Sequence, residues 1–172
     1  QVQLDWMVRM CAARQDGAIH YIRAYRKNVR EVYEKGTKFE LGKGQVLVPG
    51  TDVLLVGSGY LMADALDAAE ELGRRGVSVE VVDPVTVKPF DEELIRKEAQ
   101  GKKLVVTYEN HSIINGIGSA VADVLAKYGM GVPLLKLGAQ DVFGQVGLVD
   151  LLKKEFHLTS DDAVCAIEKA LK

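Results

Sequence analysis

The chain has 172 residues, of which 48% are hydrophobic, and its formal net charge at pH 7 is −2. A chain of this length can bury a core of ordinary size, either as one domain or as one domain with a fragment of a neighbour. The near balance of charge gives no basic excess for nucleic acid, and no apolar run is long enough to cross a membrane. We therefore expect a soluble, cytoplasmic protein, with Cys11 and Cys165 as reduced thiols in its core.

The chain opens with an apolar helical pattern that is followed by a strand pattern. A stripe of apolar residues runs from Leu4 to Ala12, and this opening inside a helix looks like a piece cut from something longer. The apolar run Ala18–Ala24 then predicts a strand, with His20 in a structural position. A basic cluster closes this strand and comprises Arg23, Arg26 and Lys27.

A linker and an edge strand come next. Charge dominates from Asn28 to Lys38 without a persistent period, which is typical of a linker or a surface crossing. Two short apolar runs, Phe39–Leu41 and Gln45–Val48, flank Gly42 and Gly44. They predict either a small hairpin or an edge strand preceded by a turn.

From Gly50 onward the chain alternates regularly between strand and helix patterns. Four apolar runs predict strands: Val53–Val56, Val77–Val82, Leu104–Thr107 and Val132–Leu137. The helical patterns run from Leu61 to Leu72, after a cap at Asp91, behind Ser119, from Leu148 to Phe156 and after a cap at Thr159. Because such alternation builds a parallel sheet covered on both faces, it predicts a doubly wound α/β fold.

A partial dinucleotide motif follows the first of these strands. Gly57, Ser58 and Gly59 come directly after it, and Asp83 ends the next strand, as in a dinucleotide-binding unit. The third glycine of the motif would fall at Met62, whose side chain would crowd the packing of helix on strand. We therefore favour a tight turn at Gly57–Gly59 and a strand-terminating role for Asp83.

A second polar cluster lies in the loop Glu109–Asn115 and the glycine-opened helix start behind it. The segment Gly116–Ser119 could present backbone N–H groups to an anion. No basic residue accompanies these glycines, so we favour a backbone that passes close to a neighbouring element. His111 beside Glu109 could act as a general base oriented by a carboxylate, although a single histidine in a loop is more often only polar.

Arg26 is the candidate for binding an anion. It follows an apolar strand with Arg23 and Lys27 nearby, so its guanidinium would stand at the carboxyl end of a sheet. There it could hold a phosphate group through two parallel hydrogen bonds. Composition alone is equally compatible with a solvated basic turn.

Five motifs spaced along nearly the whole chain occur in an order that is more specific than any one of them. They are Ala18–Ala24 with Arg26; Asp52–Gly59; Val87–Glu92; Tyr108–His111 with Gly116–Val121; and Gln140–Gly147. In this order they resemble the carboxyl-terminal portion of transketolase, in the form in which the enzyme is split into two chains or is of the shorter archaeal and bacterial type. The deoxyxylulose-phosphate synthases and the beta subunits of 2-oxoacid dehydrogenases share the architecture and are close alternatives.

The resemblance implies a fold and a division into domains. The fold would be a three-layer α/β/α sandwich whose five-stranded, mostly parallel sheet has an antiparallel first strand at Gln45–Val48. Residues 1–28 would be the last helix and strand of the pyrimidine-binding domain, and residues 29–49 a linker with the edge strand. Residues 50–172 would form the transketolase C-terminal domain.

The resemblance also implies an activity, cofactors and partners. The parent enzyme transfers a two-carbon ketol unit between sugar phosphates and uses thiamine diphosphate and Mg²⁺, which bind to segments of an amino-terminal region. We expect this chain to carry no catalytic, cofactor-binding or metal-binding residue, to be inactive alone, and to serve packing and assembly through the loops Glu109–Asn115 and Gln140–Gly147. Its partner would be the thiamine-binding half or subunit, in a homodimer or heterotetramer.

One functional residue carries over from the resemblance. Arg26 matches an arginine that binds the sugar phosphate, although Ala24 and Tyr25 before it depart from the family's usual strand end.

Two hypotheses of another class stay open. The chain could be a nucleotide-binding domain that uses Gly57–Gly59 and Asp83, or an interaction module with no ligand.

Overall fold

A five-stranded sheet lies between two layers of helices in the computed structural model, which describes residues 1–172. The strands are β1 (Gln45–Val48), β2 (Val53–Gly57), β3 (Val79–Asp83), β4 (Leu104–Ser112) and β5 (Leu134–Ala139). The helices are α1 (Val2–Ala13), α2 (Met62–Arg74), α3 (Glu92–Glu98), α4 (Ile117–Lys127), α5 (Val149–Glu155) and α6 (Ser160–Ala170). The strand order is β1-β3-β2-β4-β5, and β1 alone runs antiparallel to its neighbour. This confirms the predicted three-layer fold with its antiparallel first strand.

The central strands are apolar on both sides because helices cover both faces of the sheet. In β2, Val53 and Leu55 face the layer formed by α2 and α6, whereas Leu54 and Val56 face the layer formed by α3 and α4. All four side chains are fully buried. Continuous β-branched and leucine runs are typical of such doubly covered parallel strands.

Local sequence signals set where α3 and α6 begin and where α2 ends. The Asp91 side chain accepts a hydrogen bond from the backbone N–H of Leu94 at 3.1 Å, and Thr159 forms a reciprocal capping box with Asp162. Gly76 has a φ of +85°, and the N–H of Val77 behind it donates to the carbonyl of Leu72 at 2.9 Å. This left-handed glycine closes α2, because a side chain at that φ would be strained.

Strands β3, β4 and β5 differ from the predictions at their boundaries, and β3 begins at Val79 instead of Val77. Strand β4 continues to Ser112 instead of ending at Thr107, so Tyr108–His111 is strand and not loop. Strand β5 is displaced toward the carboxyl end and pairs Leu134 with Val105 and Ala139 with Ser112. The polar residues 109–111 of β4 lie in an irregularity of this pairing, between Tyr108, which pairs with Leu137, and Ser112.

The first 44 residues form no strand, and no residue before Val53 is buried. The predicted strand Ala18–Ala24 is absent: none of the five strands pairs with it, and the side chains of Ile19 and Tyr21 are 99% and 87% exposed. A strand needs a neighbour to satisfy its backbone groups, which explains the difference. His20, in the same segment, is exposed and holds no structural position.

The expectation of two core thiols was wrong. Cys165 is exposed and Cys11 is half-buried, and both are free. The buried face of α6 is formed instead by Ala163, Val164 and Ile167, so Cys165 lies outside that face.

No helix in the chain combines the length and the apolar character that crossing a bilayer would demand.

Candidate functional site at the carboxyl edge of the sheet

The strand order creates a crevice between the carboxyl ends of β2 and β4. The chain passes from β2 to β3 on one side and then crosses to β4 on the other side of β2. Open α/β sheets bind ligands at such a reversal point, because the loops on its two sides diverge there. The residues at its mouth are Ser58 and Gly59 after β2 and Asn110 near the end of β4.

The chain's own amino-terminal segment lies across this crevice. Arg23 donates a hydrogen bond to the backbone carbonyl of Asn110 at 3.1 Å. The rings of Tyr25 and Tyr60 pack with their centroids 4.7 Å apart, and Tyr60 lies in the single 3₁₀ turn (Gly59–Leu61) that follows β2. Contacts to both sides of the reversal point therefore come from residues 23–25.

The glycine turn after β2 is closed by Met62. A Cβ atom on Gly57 would overlap the sulfur of Met62, and the Met62 side chain is 3% exposed. This methionine stands where a dinucleotide motif has its third glycine, and it takes up the space that close backbone approach requires. The preference for a tight turn at Gly57–Gly59 is therefore supported by the packing of Met62.

Asp83 is the acidic residue of the partial dinucleotide motif. Its carboxylate is buried and accepts hydrogen bonds from other residues of this chain. Its oxygens accept hydrogen bonds from the Tyr33 hydroxyl at 2.7 Å, the Gln3 side-chain amide at 2.9 Å and the Val85 N–H at 2.8 Å. Burial raises the pKa of Asp83, and these hydrogen bonds oppose the shift. Asp83 thus anchors the amino-terminal segment to β3, and its oxygens are taken up by these donors.

The helix start at Gly116 does bind an anion, and that anion is Glu109. The two carboxylate oxygens accept hydrogen bonds from the N–H groups of Ile117 and Gly118, each at 2.8 Å, and the Glu109 side chain is buried. A Cβ on Gly116 would overlap this carboxylate, and one on Gly118 would crowd the Thr107 hydroxyl at 2.8 Å. The favoured expectation is therefore confirmed, because the backbone at these glycines passes close to β4. The negative charge at the helix terminus is supplied by the chain itself.

His111 and Glu109 do not form the pair of general base and orienting carboxylate that was considered for them. The Nδ1 atom of His111 lies 3.0 Å from the carbonyl oxygen of Ser112 and its ring is exposed, while the Glu109 carboxylate is turned to α4. Ser119 accepts a hydrogen bond from the N–H of Asn115 at 3.0 Å and so serves the turn before α4. No group of three or more His, Cys, Asp or Glu side chains in the chain could hold a metal ion.

The basic cluster divides into residues with different surroundings. Arg23 is bound at the crevice, as described above, while Arg26 is exposed. Arg30, which the sequence analysis passed over as part of a linker, donates to both carboxylate oxygens of Asp67 and to the carbonyl of Ala63 on α2. Only its position four residues beyond Arg26 could have drawn attention to it.

Comparisons with known proteins agree with this architecture. The sequence model of the family described as "Transketolase, C-terminal domain" matches residues 42–162. A putative transketolase C-terminal section from Methanocaldococcus jannaschii is 41% identical over 154 residues, covering 88% of this chain and 48% of that protein. A 6-deoxy-6-sulfo-D-fructose transketolase subunit from Clostridium sp. strain MSTE9 is 44% identical over 151 residues, covering 88% of this chain and 46% of that protein.

A solved structure gives the same result in three dimensions. The chain matches a split-gene transketolase, described as an inactive beta4 tetramer, with a TM-score of 0.80 and 42% identity. The match covers 85% of this chain and 48% of the other. The chain thus spans about half the length of the relatives that it matches.

Proposed function

Because this chain belongs to the transketolase C-terminal domain family, we propose that it is the carboxyl-terminal section or subunit of a thiamine-diphosphate-dependent transketolase. In the complete enzyme a two-carbon ketol unit passes between sugar phosphates, and this chain contributes packing and assembly. The observation that carries the proposal is the carboxyl edge of the sheet, whose anion-binding helix terminus is occupied by Glu109 and whose crevice is crossed by Arg23 and Tyr25.

The division into domains is part of the same proposal. Residues 1–28 are assigned to the pyrimidine-binding domain, residues 29–49 to a linker with the edge strand, and residues 50–172 to the C-terminal domain. Two features support it: α1 has no buried residue, and Ala18–Ala24 has the composition of a strand without a neighbouring strand. Both are expected of elements whose packing partners belong to another domain.

The residues of this chain do not fit thiamine diphosphate or its metal. Mg²⁺ in such sites is held by carboxylates and phosphate oxygens, and the chain offers no cluster of three candidate ligands. The one buried cradle of helix N–H groups is filled by Glu109. We accordingly assign cofactor and metal binding to the amino-terminal half, and assign this chain no step of the reaction that runs through them.

Mixing the two halves tests the proposal. The chain alone should show no ketol transfer and no thiamine diphosphate binding by calorimetry. Transfer from a ketose phosphate to an aldose phosphate should appear when the amino-terminal half and Mg²⁺ are added. Tight cofactor binding by this chain alone would contradict the proposal, and turnover that requires a 2-oxoacid donor would instead favour a deoxyxylulose-phosphate synthase or a 2-oxoacid dehydrogenase beta subunit.

Arg26 is proposed to bind the terminal anion of the substrate. It is exposed and directly follows Tyr25, which packs against Tyr60 beyond the carboxyl end of β2. An exposed guanidinium can form two parallel hydrogen bonds with a phosphate group. In the reconstituted enzyme, Arg26→Ala should lower kcat/KM about 10-fold or more for phosphorylated ketoses and much less for unphosphorylated ones. The panel should include a sulfonated ketose, since one relative is named for such a sugar.

Lys27→Ala is the matched control, because Lys27 is the neighbouring exposed cation. It should leave the ratio of the two kcat/KM values within about 2-fold of the wild-type ratio, since its ammonium lacks the planar donor fork. An equal loss on phosphorylated and unphosphorylated sugars in Arg26→Ala would end the phosphate assignment.

A further inference from the structure

The backbone on both sides of Arg26 is attached to the sheet domain. Before it, Arg23 donates a hydrogen bond to the carbonyl of Asn110 near the end of β4. After it, Arg30 donates to both carboxylate oxygens of Asp67 on α2. Between these attachments the chain bends at positions 26 and 27, and the Arg26 side chain is exposed there. The direction of this guanidinium therefore depends on how firmly the backbone next to it is fixed.

The ring contact between Tyr25 and Tyr60 lies directly before this bend. The two ring centroids are 4.7 Å apart, and the ring planes are inclined to each other by 33°. Aromatic pairs at such a distance attract each other beyond the effect of the area that they bury. Because Arg26 is the next residue after Tyr25, this contact fixes the backbone immediately beside the guanidinium.

Tyr60 is the firmer member of the pair. It lies in the 3₁₀ turn between β2 and α2 and packs against the apolar core, next to the fully buried Leu61. Met62, the first residue of α2, is buried and closes this turn. Tyr25 is instead 37% exposed and belongs to a segment that pairs with no strand of the sheet. The position of the Tyr25 ring is thus set by Tyr60, and not the reverse.

We propose that Tyr60 is a positioning residue for the terminal phosphate of the substrate, because it holds Tyr25 and so directs the Arg26 guanidinium; this inference rests on the proposed function. A guanidinium binds phosphate best when its planar donor fork meets two oxygens, so a change in its direction weakens binding although its charge is kept. The terminal phosphate is remote from the two-carbon unit that is transferred. Loss of Tyr60 should therefore raise KM for phosphorylated sugars and leave kcat nearly unchanged.

Steady-state kinetics of the reconstituted enzyme test this role, with kcat and KM measured for a phosphorylated ketose and for its unphosphorylated counterpart. Tyr60→Leu removes the ring and should raise KM for the phosphorylated ketose about 3- to 10-fold, which corresponds to the loss of one aromatic pair. The unphosphorylated ketose should change by less than about 2-fold. Tyr60→Phe keeps the ring and should keep both values within about 2-fold of the wild type.

Tyr25→Leu tests the same contact from its exposed side. It should reproduce the selective rise in KM, and it does not disturb the core packing of Tyr60, so the test does not depend on whether Tyr60→Leu folds. Tyr128→Leu is the matched control, since it removes a tyrosine ring that is 45% exposed just beyond the carboxyl end of α4. It should keep the wild-type kinetics with both sugars.

A double variant separates the direction of Arg26 from a general structural effect. When Arg26→Ala is already present, Tyr60→Leu should leave the ratio of the two kcat/KM values unchanged, because the group that Tyr60 directs is gone. A further fall in that ratio would mean that Tyr60 acts on the phosphate by another route.

Three other results would overturn the role of Tyr60. A selective loss in Arg26→Ala, with none in Tyr60→Leu and Tyr25→Leu, removes the ring contact from substrate binding and leaves the proposed function standing. Equal losses on both ketoses in Tyr60→Leu and Tyr25→Leu make the contact structural only. No selective loss in Arg26→Ala ends the phosphate assignment itself, and this inference ends with it.

Discussion

Two regions of the molecule, the sheet domain and the amino-terminal segment, meet at one edge of the sheet but are held by different forces. Every buried residue lies between Val53 and Ile167, where apolar strands are covered by helices on both faces. Residues 1–44, which precede β1, are attached by hydrogen bonds from Gln3, Arg23, Arg30 and Tyr33, by the packing of Tyr25 on Tyr60 and by the partly buried Val32. Apolar burial supplies most of the stability of a folded domain, while single exposed polar contacts contribute little. The segment can therefore change partners without unfolding the sheet domain.

The largest effect is expected inside the sheet domain, at Glu109. Glu109→Ala leaves the N–H groups of Ile117 and Gly118 without their acceptor in a buried position. We expect the free energy of unfolding to fall by about 2–4 kcal/mol, since each unsatisfied buried donor costs roughly 1–3 kcal/mol. Urea denaturation followed by circular dichroism measures this change.

Asp123→Ala is the matched control for that measurement, because Asp123 is an exposed acid on the same helix. It should change the free energy of unfolding by less than about 0.5 kcal/mol. A similar small loss in Glu109→Ala would mean that water replaces the carboxylate at the start of α4.

A smaller effect, visible mainly as pH dependence, is expected where the two regions join at Asp83. Burial raises the folded-state pKa of Asp83 above its value in the unfolded chain. Its protonated form thus contributes stability that is fully present below the ordinary aspartate range and is lost as the pH rises through the folded pKa. Asp83→Asn should remove this part of the decline, as measured by urea denaturation at a series of pH values. Asp141→Asn, at an exposed acid, should keep the wild-type curve, and identical curves for both variants would contradict the role of Asp83.

The smallest effect is expected within the amino-terminal segment, at Arg30. Its ion pair with Asp67 is half-exposed, so Arg30→Ala should lower the free energy of unfolding by less than about 1 kcal/mol. Trypsin should nevertheless cleave faster after Arg26 and Lys27, because the attachment of the segment to α2 is lost. Mass spectrometry of timed digests gives the rates.

Arg9→Ala is the control for this experiment, since Arg9 pairs only with Asp5 on its own helix. It should leave cleavage after Arg26 and Lys27 at the wild-type rate. Equal acceleration in both variants would show that the segment is not held through Arg30.

The candidate site was predictable only in part. The residue types were recognised, since Glu109, Gly116 and Asp83 were all singled out as polar or glycine positions at strand ends. Their partners were not: Asp83 is bonded to residues 50 and 80 positions away, and Glu109 binds a helix start that looked open to an outside anion. Arg26 was preferred over Arg23, yet Arg23 is the residue that contacts the end of β4.

By itself, the sequence determined the alternation of strands and helices, the helix caps at Asp91 and Thr159 and the closure of α2 at Gly76. These features depend on hydrogen bonds and side-chain periods within a few residues, which a linear pattern records. Only the tertiary structure decided that Met62 closes the glycine turn, that Glu109 fills the start of α4 and that Ala18–Ala24 lacks a neighbouring strand. Those outcomes depend on which distant atoms meet, and side-chain period and propensity carry no record of such contacts.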